Sequence, residues 1–142
     1  MMETKIILKE ISEIIGRIQD GKWSEHSEAL LLSAQGKLAS YQFNVAQLVS
    51  EANQAYSTLE IANKNKEARI FLNYREEGKS INDCKALSGI EIEFNSREEI
   101  DAKRQYEDYR GLLNAMETLI TAIQVQLRAS HREASMSNYQ GK

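Results

Sequence analysis

Residues 31–62 read LLSAQGKLASYQFNVAQLVSEANQAYSTLEIA, and within them Leu31, Ala34, Leu38, Tyr41, Val45, Leu48, Ala52, Ala55, Leu59 and Ala62 recur at alternating steps of three and four. Only a helix brings such positions to one face. A second seam runs through Tyr106, Tyr109, Leu113, Met116, Ile120, Ile123 and Leu127. Neither stretch contains proline, and steps that average half a heptad keep a stripe facing one partner along the whole axis. The two segments are therefore expected as long helices packed in coiled-coil fashion.

Upstream, Ile7, Ile11, Ile14, Ile15 and Ile18 fall at helical spacing between Glu3, Lys5, Lys9, Glu10, Glu13 and Arg17. This is an amphipathic helix over residues 3–19, ended by Asp20 and Gly21. Ser24 is placed to cap the next helix, with Glu25 and Glu28 in its first turn, where carboxylates complement the free amides. Unbroken to Glu77, that helix is ~80 Å long. The Asn63, Lys64, Asn65, Lys66 stretch is its expected point of bending, and Gly78 supplies a left-handed C-cap.

Ser80 and Asp83 then have capping-box spacing for a short helix over residues 81–87, which Gly89 is expected to stop. Ile90, Glu91, Ile92, Glu93 and Phe94 alternate as a strand does. With no second strand in the chain, such a segment pairs only between subunits. Ser96 and Glu99 form a better capping box, opening a helix that runs to about Glu133, ~55 Å. Residues 135–142 read as a polar, disordered tail. The expected fold is all-α: an amphipathic N-terminal helix, then a long antiparallel coiled-coil-like hairpin with a short helix at its turn, in one domain over residues 1–134.

With 142 residues, 42% of them hydrophobic, the chain buries a modest core. A long hairpin leaves apolar faces uncovered, so a homo-oligomer is expected, with Ile120, Ile123 and Leu127 as its interface. The 18 basic and 21 acidic residues nearly cancel to a net charge of -3. Such a balance lacks the wholesale footprint of a nucleic-acid binder, so any polyanion site is local. One cysteine, Cys84, excludes an internal disulfide and a multi-cysteine zinc site, and fits a reducing, cytoplasmic location. No stretch resembles a secretory signal or is long enough to span a bilayer, so no membrane partner is expected.

Catalytic patterns are weak. Gly16 to Lys22 matches a phosphate-binding loop as far as its lysine, but Trp23 stands where the magnesium-binding hydroxyl belongs and no strand precedes it. His26 and His131 lack ligand-spaced neighbours and read as solvated side chains. No enzyme, metal or cofactor is expected.

The best candidate surface flanks the Gly78 turn. Lys64, Lys66, Arg69, Arg75, Lys79 and Lys85 arrive there with Phe71 and Tyr74, and Lys103, Arg104 and Arg110 with Tyr106 and Tyr109. Cations that track phosphates and rings on which bases stack are what single-strand binding requires. The same region carries Glu67, Glu76, Glu77, Glu98, Glu99, Asp101, Glu107 and Asp108, so a second reading pairs these charges along or across helices. Continuing the seam past Ala62 by its own steps puts Lys66 and Arg69 on the packing face, where each needs a phosphate or a carboxylate such as Glu99 or Glu107.

Trp23 with His26-Ser27, Ala68-Arg69-Ile70 with Tyr74, Lys85 with Leu87-Ser88, and Tyr109 leading to Leu112-Leu113, Leu119-Ile120 and Ala122-Ile123 together resemble the UvsY family of recombination mediators of T-even bacteriophages. These matches span most of the chain in the same order. The resemblance implies a phage-encoded helical ring, acting in the host cytoplasm, that binds single-stranded DNA and loads a recombinase onto strands covered by single-strand-binding protein. The family's basic Lys-Ala-Arg stretch is Glu67-Ala68-Arg69 here, so Arg69 alone carries over and Lys66 lies one position away. Combined with the local cations, it nominates Lys66, Arg69, Tyr74, Arg75, Lys79, Lys103 and Arg104 for DNA binding. The competing readings are a helical inhibitor of a host defence system, binding a protein or a nucleotide, and a coiled-coil protein of virion assembly.

Overall fold

A computed structural model describes residues 2–20 and 28–140, and over them the chain is helical in four elements. These are α1 (Met2–Asp20), α2 (Glu28–Glu76), α3 (Ile81–Asn95) and α4 (Arg97–Gln140). The expected Ser24 cap, Trp23, Lys22 and His26 lie outside the described residues.

Two compact units divide the chain. The first comprises Met1–Ala46 and Gly111–Lys142, so it joins α1 to the start of α2 and the end of α4. Its core holds Leu31, Ala34, Leu38 and Val45 of the α2 seam and Met116, Ile123 and Leu127 of the α4 seam, buried with Ile11 and Ile18 of α1; Leu119, outside the seam read from sequence, is buried as well, while Leu113 and Ile120 are half-buried. Burying a Leu or Ile side chain contributes roughly 1.5–3 kcal/mol, and this unit holds nearly all the fully buried ones. Ile123 is 0% and Leu127 7% exposed, covered by the chain's own helices, while Ile120 is half-buried. Ile123 and Leu127 thus belong to the core of this unit, while Ile120, expected with them at a subunit interface, keeps part of its surface. Tyr41 of α2 hydrogen-bonds Glu10 of α1, which raises the Tyr41 pKa. His131 Nε2 lies 3.1 Å from Glu28 Oε1, setting the end of α4 beside the start of α2.

The second unit, Gln47–Arg110, joins the rest of α2 to α3 and the start of α4. Tyr56 of α2 feels Glu99 and Glu107 of α4, and Glu60 of α2 feels Lys103, so the two helices lie side by side here. Among the described residues only Ala52 and Cys84 are buried apolar residues here, and Ser88 is buried too.

In this unit the seam departs from the alternation read in sequence. Ala55 and Ala62 are exposed; Leu59 keeps its place on the seam, and Tyr56, Asn63, Ile70 and Tyr74 turn inward with it. The seam thus takes two successive four-residue steps, 48 to 52 to 56, before the alternation resumes. Such an inserted step is how a helix resets a stripe that has drifted off its partner. Lys66 and Arg69 therefore point to solvent, not to the packing face. No break interrupts α2 at residues 63–66.

The turn after α2 is as read. Gly78 has φ 88°, with Lys79 N–H donating to Tyr74 O at 3.2 Å and Gly78 N–H to Arg75 O at 3.0 Å. That pair of bonds is the Schellman motif, which satisfies two carbonyls at the helix end. Ser80 Oγ then accepts from Asp83 N–H at 3.2 Å and caps α3. Gly89 does not stop α3, and residues 90–94 are not a strand: the helix runs through both to Asn95. A strand needs a partner, whereas a capped helix propagates at one hydrogen bond per residue. Ser96 is the joint between helices. Its hydroxyl donates back to Glu93 O at 2.8 Å, and its carbonyl accepts from Ile100 N–H at 2.9 Å to begin α4. Past Glu133, α4 continues through residues 135–140, where composition reads as a disordered tail.

Candidate nucleic-acid interface

The residues nominated for DNA binding all lie in the second unit, and the structure sorts them into two groups. Tyr74, Arg75 and Lys79 build the Gly78 turn. Arg75 Nη1 donates to Lys79 O at 3.0 Å, Lys79 Nζ lies 4.7 Å from the Tyr74 ring centroid and 3.9 Å from Glu77 Oε2, and the Tyr74 hydroxyl donates to Glu91 of α3. That hydrogen bond raises the Tyr74 pKa. A base reaching the ring face that Lys79 covers must displace a cation–π contact worth about 0.5–1 kcal/mol at an exposed site.

Lys66, Arg69, Lys103 and Arg104 are exposed, and none forms an ion pair among the described residues. Exposed cations without partners are the form in which Lys and Arg meet a phosphate backbone. Lys103 is partly engaged at longer range. The Glu60 carboxyl is held below its ordinary value first by a hydrogen bond from Tyr56, then by Lys64 at 3.4 Å, with a smaller attraction from Lys103. The reciprocal effect pushes the Tyr56 phenol up to about 12, chiefly through the Glu60 hydrogen bond.

Helix geometry divides the cations that sequence places together. At about 100° per residue, Lys66 points roughly 200° away from Lys64. Lys64 instead faces α3, where Lys64, Glu67, Ala68 and Phe71 of α2 and Lys85 and Ser88 of α3 line a groove of about 280 Å³. Phe71 is half-buried in it, and Lys64 and Lys85 supply two cations to Glu67's one anion. Ser88 is 2% exposed, its hydroxyl donating to Lys85 O at 3.2 Å. Sequence reading places Lys64, Phe71 and Lys85 in the basic and aromatic region but not as one site. The signal that assembles them is the i, i+3 spacing of Lys85 and Ser88 within α3, which sets both on one helical face.

Among the described residues no three His, Cys, Asp or Glu side chains gather as a metal site, and no helix is long and apolar enough to cross a membrane. Comparison with protein-family models, curated proteins and solved structures finds no match for this chain.

Proposed function

We propose that this chain is a non-catalytic, oligomeric accessory protein of DNA recombination, acting in the cytoplasm of a phage-infected cell, that binds single-stranded DNA together with a recombinase and single-strand-binding protein. The observation that supports this most is the set of exposed cations on the second unit, Lys66, Arg69 and Arg104, which form no ion pair among the described residues. Lys103, with its long-range attraction to Glu60, is their fourth member. The acidic residues of α2 and α4 limit the affinity of one copy, so repetition of weak sites around an oligomer supplies the rest by avidity. Binding to a labelled oligonucleotide across a salt series tests the reading. Lys66→Gln with Arg69→Gln is expected to flatten the slope of log K against log salt by about 1.4, at roughly 0.7 per lost phosphate contact on single strands. Unchanged affinity and slope in that variant would refute it.

The groove favours a second reading, capture of a single nucleotide, with Phe71 under the base and Lys64 and Lys85 on its phosphate. Its volume lies near the small end of ligand clefts. Competition of oligonucleotide binding by a free mononucleotide separates the two.

A further inference from the structure

Glu67 of α2 and Lys85 of α3 line the same groove and carry opposite charges, yet they do not pair. Both are exposed, and neither forms an ion pair among the described residues. Opposite charges held apart in one cleft are open to a ligand that carries an anion at one end and hydrogen-bond donors at the other. Lys64, the second cation of the groove, already meets Glu60 at 3.4 Å, so the unclaimed one is Lys85. The Ser88 hydroxyl has its proton committed to Lys85 O. Among the lining side chains, then, two ammonium groups donate, a carboxylate accepts, and no neutral donor is free.

Spacing on α2 decides what the carboxylate reads. Glu67 lies four residues before Phe71, one turn away on the same face, with Cβ atoms about 5–6 Å apart. A helical side chain leans back over the turn before it, so the half-buried Phe71 ring lies toward Glu67. Ala68, at steps of four and three from Lys64 and Phe71, adds only a methyl group to the wall and leaves room for a flat ligand. A base laid on Phe71 therefore brings its edge within reach of Glu67. An ionised carboxylate accepts through two oxygens in one plane, and a fork of two parallel N–H groups fits it best. Of the four DNA bases guanine carries such a fork, its ring N–H beside its exocyclic amine. Adenine and cytosine set one donor beside an acceptor, and thymine has a carbonyl on either side of its one N–H. We propose that the α2–α3 groove is a guanine-nucleotide site, in which Glu67 reads the base, Phe71 stacks under it and Lys85 holds the phosphate. The assignment rests on the nucleotide reading of the groove and adds the identity of the base; it is independent of strand binding at Lys66 and Arg69. A free guanine nucleotide and a guanine within a strand share this chemistry.

Titration calorimetry on the full chain, with each of the four deoxynucleoside monophosphates and with inorganic phosphate, tests it. The guanine nucleotide is expected to bind at least about tenfold more tightly than the other three, the discrimination of one bidentate pair. Glu67→Gln turns the two acceptors into one acceptor and one donor, the complement of adenine, and is expected to reverse the order of guanine and adenine. Loss of a purely structural role would not exchange the two bases. Lys85→Met should weaken all four nucleotides by a similar factor and keep guanine first. Both side chains are exposed, so helicity should be unchanged, and circular dichroism checks this. Comparing an oligothymidine with and without one terminal guanine separates the sources: a gain that Glu67→Gln abolishes assigns the site to a strand, and no gain assigns it to the free nucleotide. Equal binding of the four nucleotides, or an order unchanged by Glu67→Gln, would overturn the guanine assignment and leave nucleotide capture standing. If none of the four binds more tightly than inorganic phosphate, nucleotide capture fails with it.

Discussion

Replacing glycine by alanine at positions 78 and 89 should move stability in opposite directions, and the contrast tests where α3 ends. Gly78 sits at φ 88°, which L residues adopt only with strain, although nothing lies within 4 Å of the Cβ that alanine would add. The cost is therefore purely that of the backbone, about 1–2 kcal/mol for a non-glycine residue in the left-handed region. It is offset by about 0.4–1 kcal/mol from the reduced entropy of the unfolded chain, for a net loss of about 1 kcal/mol. Gly89 lies inside α3 and also has nothing within 4 Å of an added Cβ. There alanine gains about 1 kcal/mol, the difference in helix propensity between the two residues. Both positions belong to the second unit. Urea unfolding followed by circular dichroism should give midpoints on either side of the parent. Loss of stability in Gly89→Ala would show that the helix stops at Gly89, as its sequence suggests.

Truncating the first unit's core, as Leu38→Ala or Ile123→Ala, should cost about 2–5 kcal/mol in the same denaturation measurement, because both side chains are fully buried. Native-state hydrogen exchange should show residues 31–45 and 116–127 better protected than residues 52–76 and 81–95, since buried apolar contact is concentrated in the first unit. Asn63 faces inward with its Nδ2 buried and unpartnered, so Asn63→Leu should stabilise the second unit by about 1–3 kcal/mol, read from the urea midpoint. Tyr56 is held protonated in the fold, its pKa raised from 10.0 to about 12. Its contribution is fully present below pH 10 and is lost as pH rises from 10 to 12, so Tyr56→Phe should flatten alkaline unfolding over that window. Glu60 works the other way: its lowered pKa gives stability that is present above about 4.5 and lost as pH falls through the depressed value.

Much of the scaffold is legible from local chemistry. The isoleucines of α1, the seam from Leu31 to Ala52, the left-handed Gly78 and the Ser80 cap each follow from a requirement that few residues meet. The misreadings have a common physical origin. Alanines at 55 and 62 satisfy a small-residue stripe whether they face a partner or water, so a pattern counted on residue type cannot register the four-residue step that turns Tyr56 and Asn63 inward. Ile90 to Phe94 alternate over too short a span to separate a two-residue period from a helical one. What decides between them is the Ser80 cap ten residues earlier, from which the helix propagates. The stretch after Glu133 shows the converse. Its polarity says that nothing need be buried, which does not forbid continuation of a helix already formed.

The basic region illustrates a further limit of proximity along the chain. Six cations between residues 64 and 85 look like one patch when written in a line, but two residues along a helix is more than half a turn. Lys64 and Lys66 are thereby sent to different sides of α2, one toward α3 and Glu60, the other to solvent. Tyr74, Arg75 and Lys79 are engaged around the Gly78 turn, Arg75 donating to Lys79 O, Tyr74 to Glu91, and Lys79 lying over the Tyr74 ring and beside Glu77. On the proposed reading, phosphate contact falls to Lys66, Arg69 and Arg104, which form no ion pair among the described residues, with Lys103 restrained by its attraction to Glu60. The groove cations form a separate, ring-bearing site. On this division, removing Lys64 and Lys85 should leave the salt slope set by Lys66 and Arg69 in place while weakening any nucleotide capture at Phe71. A single contiguous patch would lose both together.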